Sequence, residues 1–297
     1  GLTCSIDGEK RCKELLGEDV LWIPLTKPGY ILGKVAYDEF EAWSKEHETV
    51  PRIMMLQNHG IFVSADTVEE VDALMKKVMD KLGAVASETL DESEISFDNN
   101  TVFALAPALR MLYDQNGKSV ALFHTSKGIV DFTVDKALKE TISQPFTPDH
   151  IVYCKDQPLF LTGKEDKKAL TQAFVAYTEN NGYAPKIVMV EGLGYFALGN
   201  TYKEASTAKE VWIDALKIAV FAEQFGGALT LPRDFTEFIL NWEIESYRQK
   251  VAHGAGGLGA KRVDGKIAIV TGAAQGFGEG IARDLAAQGA YVAIADL

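Results

Sequence analysis

The sequence predicts an α/β protein, and three stretches support that prediction. Two of them, which start at Pro51 and Pro185, share one order of apolar strand, glycine turn, short second strand and helix. The third, residues 266–297, passes from an apolar β-branched strand through a glycine-rich turn and a helical pattern to a second apolar strand. Strands that alternate with helices in this way form parallel or mixed sheets covered by helices. We therefore expect two related α/β units, followed by the beginning of a parallel sheet.

The composition and charge argue against several kinds of partner. A formal net charge of -12 over 297 residues does not suit nucleic acid, which requires clustered Lys and Arg. The sequence has no apolar run of about 18 residues, the length that a membrane span needs, and its N-terminus lacks the features of a signal peptide. Cys4, Cys12 and Cys154 are far apart and odd in number, which favours free thiols in a reducing cytoplasm. We expect a cytoplasmic protein that binds neither nucleic acid nor membrane.

The first two stretches form an internal repeat. PRIMMLQNHGIFVSADTVEEV from Pro51 aligns without gaps with PKIVMVEGLGYFALGNTYKEA from Pro185, an offset of 134 residues (185 minus 51). Each copy opens its helix with a capping box, in which a Thr and a Glu three residues later satisfy the first backbone N–H groups. These pairs are Thr67 with Glu70 and Thr201 with Glu204. Chance similarity between two buried strand–turn–helix units is the alternative explanation.

The repeat sets the predicted domain boundaries. Residues 20–28 resemble residues 151–158, and each stretch precedes a helical segment, which extends the match upstream. Residues 251–265 are rich in Gly and have no periodicity, so we expect a linker there. The first copy lacks its own beginning and the last sheet stops after two strands, so we expect a chain cut at both ends. The predicted organisation is residues 1–95 for the first, incomplete unit, 96–250 for the second unit, 251–265 for the linker and 266–297 for the start of a further domain.

The two copies differ at the glycine turn, where chemistry could lie. The first copy has Asn-His59-Gly at residues 58–60, and the second has Gly-Leu193-Gly at residues 192–194. Because Leu193 replaces the histidine, the fold itself does not require an imidazole there. A His at the end of a buried strand, beside a Gly that allows close approach, suits a metal ligand or an acid–base group. A lone His is more often an ordinary packed or surface residue than a ligand, so the pattern alone leaves both interpretations open.

Residues 56–82, LQNHGIFVSADTVEEVDALMKKVMDKL, resemble the last metal-ligand segment of the class II aldolase and adducin family. Members of that family hold a divalent metal, usually zinc, with a His-x-His pair and a later His that precedes a Gly. The resemblance implies that His59 is the third of these ligands, and that the pair and a catalytic carboxylate lie upstream of Gly1. The 297 residues contain no His-x-His pair, so the resemblance implies an incomplete metal site, no catalytic residue and no aldolase activity in this chain alone. The second unit is then a degenerate copy.

Residues 266–297 carry the most specific pattern in the chain. An apolar strand leads into Thr271 and Gly272, a helix starts near Gly278, and a second strand ends in Asp296. Glycines in such a turn let the backbone approach a pyrophosphate, which the helix N-terminus also attracts. The pattern resembles the start of the short-chain dehydrogenase/reductase family, which implies a Rossmann-type, doubly wound parallel sheet that binds NAD. The residues expected to contact this cofactor are Thr271, Gly272, Gln275, Gly276, Phe277, Gly278 and Asp296.

The position of Asp296 predicts which nicotinamide cofactor is bound. Asp296 lies 24 residues after the first glycine of the turn (296 minus 272). A carboxylate there accepts hydrogen bonds from the ribose hydroxyls and repels a 2′-phosphate, which favours NAD over NADP. A solvated aspartate at a strand end is the alternative. The family's catalytic Ser and Tyr-x-x-x-Lys follow later in its members and are absent here, since Tyr247 and Lys250 have the wrong spacing.

The order of the two parts, with GEDVLWIP, EGLGYFALG and FILNWEIESYR between them, resembles bifunctional fusions of a class II aldolase with a short-chain dehydrogenase. Such fusions are linked to rhamnulose 1-phosphate breakdown. The resemblance implies metal-dependent retro-aldol cleavage of a ketose 1-phosphate to dihydroxyacetone phosphate and a small aldehyde. It also implies an NAD-dependent step on a small aldehyde or alcohol, with a sugar phosphate as substrate and a homo-oligomer as the assembly.

Two other functions remain open at this point. Adducin-like members keep the aldolase fold as an interaction scaffold, and the unit with Leu193 already lacks the histidine. A plain dehydrogenase whose upstream region mediates assembly is the third option. A His-x-His pair upstream would favour the aldolase, and its absence would favour the scaffold. The sequence leaves open the sugar phosphate, the direction of the redox step, the metal and the oligomeric state.

Overall fold

The structure is a computed structural model that describes residues 1–17, 19–114, 119–242, 262–263 and 266–297. Its architecture is mixed α/β, with three sheets among the described residues. The expected linker, residues 251–265, lies outside the described residues except for positions 262 and 263, and so do Tyr247 and Lys250. Among the described helices, none combines the length and apolar character needed to cross a bilayer.

The first sheet has three strands and helices on both faces. Its strand order is β1-β2-β3, with β1 parallel to β2 and β2 antiparallel to β3. One face packs on the first and third helices, and the other packs on the second helix. The elements are α1 (Gly8–Leu16), β1 (Val20–Ile23), α2 (Tyr30–His47), β2 (Ile53–Leu56), β3 (Gly60–Val63) and α3 (Val68–Gly83).

The second sheet has four strands in the order β4-β7-β6-β5 and a more deeply buried core. Its strands are β4 (Val120–His124), β5 (Leu159–Leu161), β6 (Ile187–Val190) and β7 (Gly194–Gly199). Its helices are α4 (Asn99–Tyr113), α5 (Lys127–Val134), α6 (Lys136–Thr141), α7 (Pro148–Cys154), α8 (Lys167–Asn181), α9 (Tyr202–Glu223) and α10 (Arg233–Leu240).

Every residue of β6 and β7 is buried, because helices cover both faces of this hairpin. Alternate side chains of a strand point to opposite faces, and the two faces fill separate apolar clusters. Ile187 and Met189 pack towards α9, whereas Val188 and Val190 pack towards α4 and α8. Buried strands of this kind read as continuous apolar runs, which is how residues 187–190 appear in the sequence.

The predicted capping boxes are confirmed at both helices. The Thr67 hydroxyl accepts from the Glu70 N–H at 3.2 Å, and the Thr201 hydroxyl accepts from the Glu204 N–H at 3.1 Å. Each Glu side chain also accepts from the backbone N–H of the residue before the Thr, at 3.3 and 2.9 Å. The helices α3 and α9 therefore start at equivalent residues of the two aligned stretches.

The predicted upstream match of residues 20–28 with residues 151–158 is wrong. Residues 20–23 form β1, whereas residues 151–154 lie in α7. A helix starts there because the Thr147 hydroxyl caps it and Pro148 occupies its first turn, where proline is favoured. The strand that pairs with β6 as β1 pairs with β2 is instead β5, Leu159–Leu161.

The last part of the chain is a strand–helix–strand unit. Its elements are β8 (Ile267–Thr271), α11 (Gly276–Ala287) and β9 (Tyr291–Ala295). The strands pair in parallel from Ile267 with Tyr291 to Thr271 with Ala295. Large apolar side chains remain exposed on this unit, among them Ile269 and Phe277. The parallel pairing across one helix is the arrangement that the sequence pattern predicts.

Candidate functional site

His59 lies in the tight turn that joins β2 to β3. Its backbone N–H donates to the carbonyl oxygen of Leu56 at 3.1 Å, and its residue is exposed. The preceding Gln57 N–H donates to the Ile23 carbonyl oxygen at 3.0 Å, which ties the turn to β1. The turn thus holds the imidazole at the carboxyl ends of the parallel strands β1 and β2, the edge at which open α/β sheets bind ligands.

The same turn geometry recurs between β6 and β7. The Leu193 N–H donates to the Val190 carbonyl oxygen at 3.0 Å, and the Glu191 N–H donates to the Leu161 carbonyl oxygen at 2.9 Å. The two hairpins have the same register at an offset of 134 residues (187 minus 53). Leu193, however, is only 5% exposed and belongs to the apolar cluster under α4 and α8. One turn position therefore carries an exposed imidazole in one sheet and a packed leucine in the other.

Asn58 is a functional candidate that the sequence patterns did not single out. Its side chain is 1% exposed, and its Nδ2 donates to the carbonyl oxygens of Phe146 at 3.0 Å and Leu229 at 2.6 Å. Its backbone N–H donates to the Thr3 carbonyl oxygen at 2.8 Å. Asn58 thus fixes the turn that carries His59 to loops beside the second sheet.

The backbone of Asn58 gives the signal that could have identified it. Its φ of 54° lies in the left-handed region, and Gly192 at the equivalent position has a φ of 68°. Asn is the non-glycine residue that adopts this conformation most readily. An Asn that aligns with a Gly in a repeated turn therefore indicates a left-handed backbone position. The Asn side chain can make contacts there that Gly cannot.

The described residues alone do not fit a complete metal site. Within those ranges, no three His, Cys, Asp or Glu side chains come together as a metal-binding group. Catalytic zinc takes three protein ligands, and His59 can supply one imidazole.

The glycine turn between β8 and α11 has the backbone geometry that a phosphate cradle requires. Gly272 and Gly276 both have a φ of 64°, a conformation that side chains disfavour. A Cβ on Gly278 would lie 2.0 Å from the Gly272 carbonyl oxygen, so only glycine allows the helix this close to the strand. Gln275 precedes α11 and makes no side-chain hydrogen bond to its first turn. The amides at this helix N-terminus therefore suit an anion such as a pyrophosphate.

The remaining predicted contacts lie around this turn. Thr271 ends β8, and the Gly272 N–H donates to the Ala295 carbonyl oxygen at 2.8 Å. Phe277, in the first turn of α11, is 95% exposed. The structure therefore brings all seven predicted residues to one end of the strand–helix–strand unit, because the parallel strands both end there.

Asp296 stands directly beside the glycine turn. Its Oδ2 accepts from the Ala274 N–H at 2.7 Å and its Oδ1 accepts from the Leu297 N–H at 2.8 Å. The hydrogen bond from Ala274 is the main cause that lowers the pKa of this carboxyl, with Leu297 as the second. The carboxylate is thus ionised and holds the turn, a role that the sequence did not predict, while its remaining lone pairs face solvent.

Residues 100–248, half of the chain, match the sequence model of the family described as aldolase class II, second domain. The chain belongs to this family. The matched stretch comprises the second sheet with its helices and continues into α10 and beyond.

The chain is similar along its whole length to a bacterial oxidoreductase. The uncharacterized oxidoreductase YuxG of Bacillus subtilis (strain 168) is 19% identical over 331 residues, an alignment that covers 100% of this chain and 46% of that protein. The chain thus spans about half the length of this relative.

Two further similarities are short. The 2,3-dihydro-2,3-dihydroxybenzoate dehydrogenase of Bacillus subtilis (strain 168) is 59% identical over 39 residues, which are 13% of this chain and 15% of that enzyme. The sex determination protein tasselseed-2 of Zea mays is 53% identical over 53 residues, 15% of this chain and 16% of that protein. No solved structure matches the chain.

Proposed function

We propose that this chain is part of a bifunctional enzyme that joins a class II aldolase to an NAD-dependent short-chain dehydrogenase. The observation that carries the proposal is the coexistence of two signals in one chain. Half of the chain matches the aldolase second-domain family, and its last strand–helix–strand unit contains the glycine turn. The alignment of the whole chain with an oxidoreductase supports the same combination of an aldolase with a dehydrogenase.

The two α/β units are proposed to be copies of one ancestor, with the second degenerate. Support comes from the identical hairpin register, the equivalent turn hydrogen bonds and the two capped helices, all at one offset along the chain. Residues 1–95 and 96–250 are the proposed extents of the copies. Replacement of His59 by Leu193 in the second copy, with burial of that side chain, is what loss of an active-site residue would produce.

His59 is proposed as one ligand of a divalent metal, with zinc as the expected ion. The exposed imidazole at the carboxyl edge of the first sheet supports this role, and the two other ligands are proposed to come from residues outside this chain. The proposed reaction cleaves the carbon–carbon bond of a ketose 1-phosphate, of which rhamnulose 1-phosphate is the leading candidate. The products are dihydroxyacetone phosphate and a small aldehyde.

The glycine turn is proposed to bind NAD. When bound, this cofactor exchanges a hydride with an aldehyde or alcohol. The chain's own residues bind and orient it: the backbone amides from Gly272 to Gly278 receive the pyrophosphate, and the Asp296 carboxylate accepts from the adenine ribose. Asp296 also holds the Ala274 amide in place, which helps to fix the turn.

The proposed setting is the cytoplasm, with small molecules as partners and a homo-oligomer as the assembly. All three cysteines are free and buried, which suits a reducing compartment. A non-catalytic, adducin-like scaffold remains the alternative function. The burial of Leu193 supports it for the second unit, where the turn serves packing alone.

The proposal is tested on the full-length protein with two assays. The first measures dihydroxyacetone phosphate released from L-rhamnulose 1-phosphate, with D-fructose 1-phosphate as the comparison substrate. The second measures NADH formation or consumption with lactaldehyde. We expect one preparation of the protein to show both the aldolase and the dehydrogenase activity. A protein that binds NAD but releases no dihydroxyacetone phosphate from either substrate would favour the scaffold, and one that does neither would overturn the proposal.

A further inference from the structure

A cleft of about 680 Å³ lies at the amino ends of β5 and β6. It is bordered by the loop between α7 and β5, the loop between α8 and β6, and the helix α10. The turn that contains Leu193 follows the carboxyl end of β6, so the cleft occupies the opposite edge of the second sheet. Its volume is typical of small-molecule sites, which range over about 300–1,000 Å³.

Two polar atoms of the cleft residues are buried without a hydrogen-bond partner. These are Oδ1 of Asp156 and the hydroxyl of Tyr183, and no partner for either occurs in the part of the chain that the structure describes. Buried polar groups in folded proteins are nearly always hydrogen-bonded, so these two atoms require a partner such as water or a ligand. The two atoms therefore offer an acceptor and a hydroxyl to a ligand.

Lys155 lines the same cleft in an unfavourable backbone conformation. Its φ of 67° and ψ of 180° fall in a region that is almost restricted to glycine. Its ammonium lies 5.0 Å from the centroid of the Tyr183 ring, and the neighbouring Asp156 is the acidic group that acts on its charge. A glycine would relieve the backbone at this position.

Hydrogen bonds fix one wall of the cleft. Gln157 Nε2 donates to Asn181 Oδ1 at 2.7 Å, and Asn181 Nδ2 donates to the Tyr177 carbonyl oxygen at 2.8 Å. The Tyr177 hydroxyl donates in turn to the Gln157 carbonyl oxygen at 2.6 Å. This closed set of bonds joins the loop between α7 and β5 to the last turns of α8, which fixes one wall of the cleft.

The charges of the cleft balance one another. Lys155 adjoins Asp156 in sequence, and Arg233 at the rim pairs with Glu237 at 2.9 Å. Burial is the main cause that lowers the pKa of Lys155 and raises the pKa of Asp156, and the attraction between the two charges opposes both shifts. The other polar side chains of the lining are amides and hydroxyls, including Ser143, Gln144, Asn180 and Thr236.

We propose that this cleft binds a neutral polyhydroxylated molecule, a monosaccharide or small polyol. One ligand hydroxyl donates to Asp156 Oδ1, a neighbouring one accepts from Lys155 Nζ, and a third bonds to the Tyr183 hydroxyl. An anion would be repelled by Asp156 and a cation by Lys155, whereas adjacent hydroxyls both donate and accept. The site stands apart from the proposed aldolase and dehydrogenase activities and does not depend on them.

The first test measures binding of D-glucose and glycerol to the intact protein by saturation-transfer NMR, with glycine and acetate as charged comparison probes. Asp156→Ala and Tyr183→Phe should each weaken glucose binding by about tenfold, since each removes a hydrogen bond to a buried group. Tyr30→Phe, an exposed tyrosine outside the cleft, should leave it unchanged. Absence of transfer to both polyols, transfer to glycine or acetate alone, or binding that survives both cleft variants would overturn the proposal.

The second test uses the strained backbone. Lys155→Gly should raise the thermal midpoint and weaken glucose binding by about tenfold, because it relieves the backbone and removes the donor. Glu48→Gly is the matched control, since Glu48 also has a positive φ, of 53°, and lies far along the chain at the end of α2. Glu48→Gly should raise the thermal midpoint and leave the affinity for glucose unchanged. A Lys155→Gly protein that melts lower or binds glucose normally would contradict the proposal.

Discussion

His59 and Leu193 occupy the same position in two turns with the same hydrogen bonds, yet His59 is exposed and Leu193 is buried. The neighbouring strands account for the difference. The strand after Leu193 lies between β6 and β4, whereas the strand after His59 is the edge of its sheet. The Thr125 hydroxyl also donates to the Leu193 carbonyl oxygen at 2.6 Å, which closes that turn against β4. The same backbone thus supports packing in one unit and an accessible imidazole in the other.

The two residues should therefore differ in their contribution to stability. Leu193→Ala should lower the free energy of unfolding by about 2–5 kcal/mol, because it leaves a cavity in a packed cluster. His59→Ala should change it by less than about 1 kcal/mol, as is usual for exposed positions. Urea unfolding followed by circular dichroism measures both. Equal losses for the two variants would show that His59 is held in the fold for packing.

Asn58 should contribute more to stability than its exposed neighbour. Asn58→Gly keeps the left-handed backbone but leaves the Phe146 and Leu229 carbonyl oxygens without their donor. Each lost bond to a buried carbonyl costs about 1–2 kcal/mol, so we expect a loss of about 2–4 kcal/mol in urea unfolding. A loss below about 0.5 kcal/mol would mean that the side chain is not the link between the turn and the second sheet.

His150 should make stability depend on pH. Its Nδ1 accepts from the Phe146 N–H at 3.2 Å, and burial lowers the pKa of its imidazole to about 4, from an ordinary value of 6.5. The unfolded state therefore binds this proton first, so stability is complete above pH 6.5 and declines as the pH falls towards 4. The expected decline is roughly 2–4 kcal/mol.

The control for this pH effect is His150→Gln, which keeps an acceptor for Phe146 but does not titrate. Its free energy of unfolding should fall less steeply between pH 6.5 and 4 than that of the unmodified protein, when both are measured in urea at matched pH values. Parallel pH profiles for the two proteins would show that another group is responsible.

Asp296 should set the choice of cofactor in the full-length protein. NAD should bind more tightly than NADP, because the 2′-phosphate meets the carboxylate. Asp296→Ala should weaken NAD binding by about tenfold, through loss of the acceptor and of the bond to Ala274. Asp296→Asn keeps an acceptor for Ala274, and it should mainly improve NADP binding.

Fluorescence titrations with both cofactors measure these changes in affinity. Asp284→Ala, an exposed aspartate on α11, is the matched control and should alter neither affinity. Equal affinity for NAD and NADP in the unmodified protein would mean that Asp296 serves only to hold the glycine turn.

Features that depend on neighbouring residues could be predicted from the sequence. The capping boxes were correct because Thr67 and Glu70 act within one helical turn, and the glycine turn follows from conformations that only glycine favours. The helix at residues 151–154 was missed because its apolar run fits a strand as well, and only the cap at Thr147 decides between them.

Features that depend on distant residues could not be predicted in this way. The carbonyl oxygens that Asn58 contacts are 88 and 171 residues away in sequence. The cleft at the amino ends of β5 and β6 is assembled from several separate loops and one helix, none of which carries a motif. Such sites depend on which distant residues the fold brings together. No local pattern in a single sequence shows these contacts.

The metal content of the full-length protein tests the role of His59 most directly. The measurement is inductively coupled plasma mass spectrometry after extensive dialysis, on the unmodified protein, His59→Ala and the control His47→Ala, whose exposed imidazole lies at the end of α2. The account predicts about one zinc per chain in the unmodified protein and in the His47 variant, and little or none after loss of His59, since three ligands are needed. A His59→Ala protein that retains its zinc, or an unmodified protein that never holds any, would contradict it.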